Sequence, residues 1–282
     1  MRCQPECYPC MENLVRRCIS LAGVDTLKEQ EVLKIALAYL EKNFSLDSIS
    51  TDLFGKVQRI IRAKTGNSDP FAAVKDEEIA LAQRCAEKLP PMLQASLRSL
   101  VKFAARGNGF DFFQDLEMLD QQLQEPVELA RDDTALLEER LQGEAPRRII
   151  YLADNAGEAL FDLPLLNRLR KRAKVYYAVK GSPVQNDLAL VDLERSGLLA
   201  RFGDVVTTGT DSPGLDLGSV SADFKKLLEG SDLILAKGMG HYETLPEYNL
   251  AQPIFLIFQV KCSPIARDAG LPLHSYAAYF LN

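Results

Sequence analysis

The sequence predicts an α/β protein in two parts. Residues 1–145 read as an all-α helical bundle, and residues 146–282 as a mainly parallel sheet with crossover helices. Two observations predict this. Up to about residue 140, apolar residues recur three and four apart, the spacing of one helix face. From residue 147, short β-branched or apolar runs alternate with helical ones, and strands that alternate with helices pair in parallel through crossovers. A chain of 282 residues can bury a large core in one or two domains.

The helical elements follow in order. ENLVRRCISLAG places Leu14, Val15, Cys18, Ile19 and Leu21 near one face, and EQEVLKIALAYLEKNF repeats the pattern with Val32, Ile35, Ala36, Leu40 and Phe44. LFGKVQRIIRAKTGN carries Phe54, Val57, Ile60 and Ile61 and stops at Gly66-Asn67, a C-terminal signal. The chain restarts at Asp69-Pro70-Phe71, runs through EEIALAQRCAEKL and breaks at Pro90-Pro91. MLQASLRSLVKFAARGNGFDFF loses its periodicity near Gly107-Asn108-Gly109, and a last helix is expected over about 124–142. The short polar stretch QGEAPRR then marks the boundary. Beyond it the strands are RRIIYLA, VYYAVK, DVVTTG, DLILAKG and PIFLIFQV, with helices at 157–171, 188–199 and 219–229. The arrangement is Rossmann-like, but no GxGxxG follows the first strand, so the dinucleotide fingerprint is missing.

Charge and composition exclude several classes. A net charge of −6 and a pI near 5.2 argue against nucleic-acid binding, which normally needs a basic face. The local cluster Arg168, Arg170, Lys171, Arg172 and Lys174 suits the solvated C-terminal end of a helix. No apolar run reaches the roughly 18 residues of a membrane span, and MRCQPECYPC lacks the apolar core of a signal peptide. A cytoplasmic protein without membrane partners is expected. The six cysteines, Cys3, Cys7, Cys10, Cys18, Cys85 and Cys262, do not read as a secreted disulfide framework in a chain of this size.

The chemistry concentrates at strand ends, where open parallel sheets bind ligands. The first strand ends in Asp154-Asn155-Ala156-Gly157-Glu158, and the second in Lys180-Gly181-Ser182-Pro183 with Asn186-Asp187 after it. A later strand ends in Lys237-Gly238, with His241-Tyr242-Glu243 following, and the last long strand ends in Lys261-Cys262. Asp and Asn oxygens suit hard divalent cations such as Mg²⁺ or Mn²⁺. Lysines around a cation suit a phosphoryl group, and Gly157 opens a helix whose N-terminal amides can also receive phosphate. Each piece has a plainer reading: Asp154, Asn155 and Asn186-Asp187 can cap the helices that follow, and Lys180 and Lys237 can be solvated strand ends. The recurrence at successive strand ends makes a metal–phosphate site a candidate beside that plainer reading, since caps and sites share these positions.

With these residues assembled, the chain resembles the damage-control phosphatases, a family long called domain of unknown function 89. The resemblance rests on Asp154-Asn155-Ala156-Gly157-Glu158, on Lys180-Gly181-Ser182-Pro183-Val184-Gln185-Asn186-Asp187 and on Lys237-Gly238 with Tyr242-Glu243. In the helical half it rests on Thr65 to Phe71 with Lys75, and on Arg106-Gly107-Asn108-Gly109-Phe110-Asp111. It implies metal-dependent hydrolysis of small phosphorylated metabolites, with the site between a helical bundle and a Rossmann-like domain. It also implies that Asp154, Asn155 and Asp187 are the metal ligands, for Mn, Co, Ni or Mg. Cys7-Tyr8-Pro9-Cys10 matches a cysteine pair of the shorter prokaryotic branch, and His241 departs from the Asn more often found before the Tyr.

The expected mechanism uses Asp154, Asn155, Asp187, Lys180 and Lys237 as the catalytic set, the lysines and Lys261 neutralising phosphoryl oxygens. Gly157 and Glu158 add donors at a helix start, and Asn108, Asp111, Asn186 and Tyr242 are expected to contact substrate. The attacker is water or, through an aspartyl-phosphate, Asp154, with water favoured. A sugar phosphate, a phosphopantetheine derivative and a nucleotide all fit, and no oligomeric state is implied. No GxSxG elbow or GxxxxGK[ST] loop occurs, and His274 reads as structural. Two rival readings are a Rossmann-like methyltransferase, disfavoured by the single glycine of the first loop, and a non-enzymatic thiol module on Cys3, Cys7 and Cys10. Those thiols read mainly as metal-free thiols or a reversible disulfide, with a thiolate-bound metal at Cys7 and Cys10 as the lesser alternative.

Overall fold

The computed structural model describes residues 1–88, 95–109, 126–143 and 146–281. It is α/β, as the sequence predicts. Helices α1 (Cys7–Leu21), α2 (Thr26–Asn43) and α3 (Ser50–Thr65) pack on one another through Val15, Ile19, Val32, Leu40, Val57 and Ile61. Asp25 caps α2 by accepting from the Lys28 amide, and Gly66 ends α3 in the left-handed conformation that its sequence position predicts. Helices α4 (Ala72–Lys88) and α5 (Leu97–Arg106) lead toward the sheet.

Seven strands form that sheet in the order β1-β7-β6-β5-β2-β3-β4. They are β1 (Leu129–Asp132), β2 (Arg148–Leu152), β3 (Lys174–Val179), β4 (Asp204–Thr207), β5 (Leu233–Lys237), β6 (Ile254–Gln259) and β7 (Tyr276–Phe280). Every pairing is parallel except β6 with β7. Between them come helices α6 (Thr134–Gln142), α7 (Ala159–Arg170), α8 (Leu190–Arg195), α9 (Ala222–Glu229), α10 (Met239–Thr244) and α11 (Ser263–Ala269). Strand β2 shows why its sequence is continuously apolar. Ile149 and Tyr151 enter the core on one face, Ile150 and Leu152 the core on the other, because the strand period is two and helices cover both faces.

Three expectations are corrected. The single helix over 124–142 is a strand, β1, followed by α6, and β1 pairs with β7 so that the sheet takes one strand from ahead of residue 146. The helix over 188–199 ends at Arg195, because Gly197 turns the chain at positive φ and a short 3-10 turn, Leu199–Phe202, follows. The five expected strands become seven among the described residues: besides β1, the short run Tyr-Ala-Ala-Tyr-Phe, which has no apolar–polar alternation to mark it, forms β7 and pairs antiparallel with β6. Among the described residues, no helix is long and apolar enough to cross a membrane.

The bundle grips the sheet through buried charge. The fully buried Lys75 ammonium of α4 lies 2.9 Å from Asp192 of α8 and 2.8 Å from Asp69. Asp192 also accepts from the Ala189 amide and from Arg195. On the other side, Arg59 and Arg62 of α3 both clasp Asp211. Breaking a buried pair strands a charge away from water, whereas an exposed pair contributes little. Lys75→Met is therefore expected to lower the unfolding free energy by about 3–5 kcal/mol. Lys56→Met, at an exposed pair with Asp52, should change it by less than about 1 kcal/mol. Urea denaturation of both variants is the check.

Candidate metal and phosphate site

Two loops meet at the carboxyl ends of β2 and β3. The Leu188 amide donates to the Asp154 carbonyl at 2.7 Å, the Ala156 amide to the Asn186 carbonyl at 2.8 Å, and Asn155 bridges Asp187 antiparallel. The Lys180 amide closes the same seam on the Leu188 carbonyl at 2.9 Å. This backbone stitching brings Asp154, Asn155, Asn186 and Asp187 to one place from two stretches of sequence about thirty residues apart. All four line one cavity of about 1040 Å³ that lies between bundle and sheet, and Lys261, beyond the end of β6, lines it as well.

The helical bundle fixes the second loop. Glu78 of α4, fully buried, accepts from the Asn186 side-chain amide at 3.0 Å. Gln58 of α3 accepts from the Gln185 amide at 3.1 Å, where Gln185 adopts positive φ, and Arg62 donates to the Pro183 carbonyl. Asn108, just past α5, reaches the first loop: its side-chain amide donates to Glu158 and, at 3.4 Å, to Asp154, while its carbonyl oxygen accepts from the Gln259 amide at 2.8 Å.

Behind the cavity wall lies a second layer of charge. The buried Lys237 ammonium sits 2.7 Å from Glu158 and 2.9 Å from Asp162. Asp162 also accepts from the hydroxyls of Tyr151 and Tyr177, each at 2.8 Å. Burial alone would depress the Lys237 pKa, but Asp162 and Glu158 outweigh it and hold the ammonium charged. The Lys180 ammonium donates to the Gly214 carbonyl and stands 3.4 Å from Asp187. His241 is buried and neutral, its pKa pushed down to about 3 by burial and by the charge of Lys180, and its Nδ1 donates to the Lys237 carbonyl at 2.6 Å.

The carboxylates are electrostatically strained without a cation. Burial, then Glu158 and Asp187, raise the Asp154 pKa well above the usual carboxylate range, against Lys261 and Lys237. Burial raises Asp187 too, against Lys180. Asn155 directs its amide N–H groups at Glu158, 2.8 Å, and Asp154, 3.3 Å, which leaves its Oδ1 as the atom to offer a cation. Gly238, at φ 84°, gives Asp154 its room: a Cβ there would stand 1.7 Å from Asp154 Oδ2. Two carboxylates and an amide oxygen are a hard donor set, matched to Mg²⁺, Mn²⁺ and similar ions. Among the described residues, no three His, Cys, Asp or Glu side chains form a metal-holding group, so this set depends on the amide of Asn155.

The predicted residues thus divide. Asp154, Asn155, Asn186, Asp187 and Lys261 line the cavity. Asn108, Gly157, Glu158, Lys180 and Lys237 are buried and do not line it: Gly157 and Glu158 lie within the first loop, Asn108 and Lys237 touch Glu158, and Lys180 stands beside Asp187. Tyr242 is not brought to the cavity: its ring packs on Phe258 and its hydroxyl donates to Asp268 at 2.6 Å. Asp111 lies outside the described residues. Sequence reading missed Asp162, Glu78 and Asp192. Asp162 had one available signal, since it stands four residues after Glu158 on the apolar face of α7.

The geometry has relatives. The family model for the damage-control phosphatase ARMT1-like domain matches residues 3–275. A damage-control phosphatase of Pyrococcus horikoshii is 32% identical over 279 residues, covering 96% of both chains. An uncharacterised protein of Methanocaldococcus jannaschii is 29% identical over 286 residues, covering 96% of this chain and 93% of that one. A damage-control phosphatase of Archaeoglobus fulgidus is 28% identical over 286 residues, covering 96% of both. The crystal structure of a DUF89 family protein from Pyrococcus horikoshii superposes with a TM-score of 0.87 at 30% identity, over all of both chains.

Two outcomes follow from the packing of Asp154. Gly238→Ala forces a side chain into a glycine-only conformation and against a carboxylate, so the unfolding free energy should fall by at least about 1–3 kcal/mol in chemical denaturation. The raised Asp154 pKa means that its contribution to stability is full below the unfolded carboxylate pKa and is lost as pH rises through the higher folded value. In EDTA, Asp154→Asn should therefore gain stability relative to the parent as pH increases from about 4 to about 8. Urea midpoints across that range measure it.

Proposed function

The chain belongs to the ARMT1-like damage-control phosphatase family, and from that premise we propose that it hydrolyses small phosphorylated metabolites with a divalent cation held by Asp154, Asn155 and Asp187. The observation that carries this reading is the meeting of those three oxygen donors with Lys261 on the wall of one cavity. A cavity of about 1040 Å³ exceeds what phosphate alone would fill and accommodates a metabolite-sized leaving group. Sugar phosphates, phosphopantetheine derivatives and nucleotides all fall within that size. The leaving group would meet a partly apolar surface from the bundle, including Met11, Leu14 and Phe54.

When bound, a cation of the Mn, Co, Ni or Mg type supplies a Lewis acid for the phosphoryl oxygens. The chain's own residues do the rest. Lys261 faces the cavity and neutralises a transferring phosphoryl oxygen. Lys180 stands beside Asp187 and Lys237 beside Glu158, so buried positive charge offsets part of the negative charge behind the cavity wall. Asn108 and Glu78 hold the two loops at fixed separation from the bundle side. Neutral His241 adds no charge to this balance, and its hydrogen bond fixes the backbone of Lys237. A water molecule lined up opposite the leaving group is the nucleophile in this scheme, with Asp154 retained as a ligand.

A panel of phosphorylated metabolites assayed with Mn²⁺, Co²⁺, Ni²⁺ and Mg²⁺ tests the proposal. Activity is expected to vanish in EDTA and to return with added cation. Asp154→Ala and Asp187→Ala should each lose on the order of 10²-fold or more in kcat/KM while remaining folded by circular dichroism. Full activity after thorough EDTA treatment, or in either variant, would refute the assignment.

A further inference from the structure

One side chain on the cavity wall has a hydrogen bond left to make. Gln259, the last residue of β6, lines the cavity and is only 9% exposed. Its backbone amide donates to Asn108 Oδ1 at 2.8 Å, and its side-chain Nε2 donates to the His274 carbonyl at 3.2 Å. Its Oε1 is buried and has no partner among the described residues. A carbonyl can only accept, so the NH₂ end of the amide faces His274 and Oε1 is the end left over. His274 is itself held in place: it adopts a left-handed φ of 64°, and its amide donates to the Val260 carbonyl at 2.6 Å. A non-glycine residue keeps such a conformation only where its surroundings enforce it, so the Gln259 amide meets a fixed partner.

The neighbours of Gln259 tie it to the metal and phosphate residues. Bonding between β6 and β7 continues past Gln259, since the Val260 amide donates to the Ser275 carbonyl at 2.9 Å. Strand alternation therefore puts Gln259 and Lys261 on one face, both lining the cavity, while Val260 enters the core on the other. On the opposite flank Asn108 connects Gln259 to the first loop. One end of the Asn108 amide accepts from Gln259, and the other donates to Asp154 at 3.4 Å. One planar amide and two hydrogen bonds thus separate the Gln259 backbone from the Asp154 carboxylate. Tyr276, opposite Gln259 in the β6–β7 register, and Val127 line the same cavity and add largely apolar surface to it.

We infer that Gln259 is a specificity-determining residue, whose Oε1 accepts a hydrogen bond from a hydroxyl that the leaving group carries close to the ester oxygen. The inference rests on the phosphatase reading above. A phosphoryl group held between Lys261 and the Asp154 side brings the first carbons of its leaving group past Gln259. A buried acceptor without a partner costs free energy, and a substrate hydroxyl removes that cost. An apolar leaving group of the same size leaves Oε1 unpaired, and a site with an unpaired polar group rejects such an analogue. A neutral amide oxygen matches a neutral hydroxyl, whereas an ammonium group calls for a carboxylate. Lys261 serves the phosphate that every substrate shares, so the choice between leaving groups falls to Gln259.

The test is binding of two non-hydrolysable phosphonates to the full chain in the presence of Mn²⁺, measured by calorimetry. The probes are the phosphonate analogues of glycerol phosphate and of propyl phosphate, which differ only in their hydroxyls. The parent should bind the hydroxylated probe about tenfold or more tightly than the apolar one. In Gln259→Met, which keeps the bulk but lacks the acceptor, the ratio should fall to within about threefold of one. Equal affinity of the parent for both probes, binding of neither, or an equal loss for both in the variant with the ratio intact would overturn the inference. The parent's ratio is decisive even where the variant folds poorly. Turnover of glycerol phosphate and propyl phosphate is measured alongside. A binding preference without turnover sinks the hydrolysis reading and leaves Gln259 its role, while turnover without a preference does the reverse.

Discussion

Negative charge gathered in a buried place is the constraint to which the rest of this molecule answers. Asp154, Glu158, Asp162 and Asp187 all stand at or just behind the carboxyl ends of β2 and β3; the last three are buried, and Asp154 is half-buried on the cavity wall. Left alone, such a group would protonate or unfold the site. Two buried lysines oppose that, although burial still holds Asp162 and Asp187 above the usual carboxylate range. Lys237 lies between Glu158 and Asp162, and Lys180 lies beside Asp187. Asp154, which lines the cavity, forms no ion pair with a lysine among the described residues and accepts instead from the side-chain amides of Asn108 and Asn155. The unmet charge therefore points at the cavity, which is where a cation would enter.

The bundle is needed because the sheet cannot hold these loops by itself. Strand ends supply one backbone seam, from Asp154 to Leu188, but a loop as long as 181–189 has many other conformations. Side chains of α3 and α4 remove them: Gln58, Arg62 and Glu78 each take a polar group of that loop, and Lys75 anchors Asp192 where the loop becomes α8. The Glu78 and Lys75 contacts are buried, so they also meet the requirement that buried polar groups find partners, while those of Gln58 and Arg62 are part-buried. Helical bundle and sheet thus share one polar interface, and the site sits on it.

Much of this was legible in the sequence because it followed from short-range rules. Short apolar or β-branched runs reveal β2, β3 and β5, period-3.6 patterns reveal most of α1 to α5, and the run of polar residues at strand ends points to Asp154, Asn155 and Asp187. What stayed hidden depends on long-range packing. Leu129–Asp132, Leu-Ala-Arg-Asp, is four residues without apolar–polar alternation, so nothing in it overrides the helical pattern around it, and it becomes a strand through pairing with β7. Lys180 and Lys237 read either as phosphate contacts around a cation or as solvated strand ends, and only the fold shows Glu158, Asp162 and Asp187 beside them. Glu78, on an amphipathic helix, has the same appearance as a surface carboxylate until Asn186 is placed beside it.

Gly238 shows how tightly the two layers are coupled. Lys237 must turn inward to meet Glu158 and Asp162, and within one residue the chain must also clear the Asp154 carboxylate. At φ 84° the backbone turns at once, and without a Cβ it leaves that carboxylate its space. The Gly238 amide remains bonded to β6 through the Ile257 carbonyl at 2.9 Å, so the turn is held by the sheet and not by the loop that follows. The position of the outward-facing carboxylate and the burial of its balancing ammonium are therefore set by one strand end. The Lys-Gly pair in the sequence is the trace of that double requirement: a charge to neutralise the inner layer, and an absent side chain to make room for the outer one.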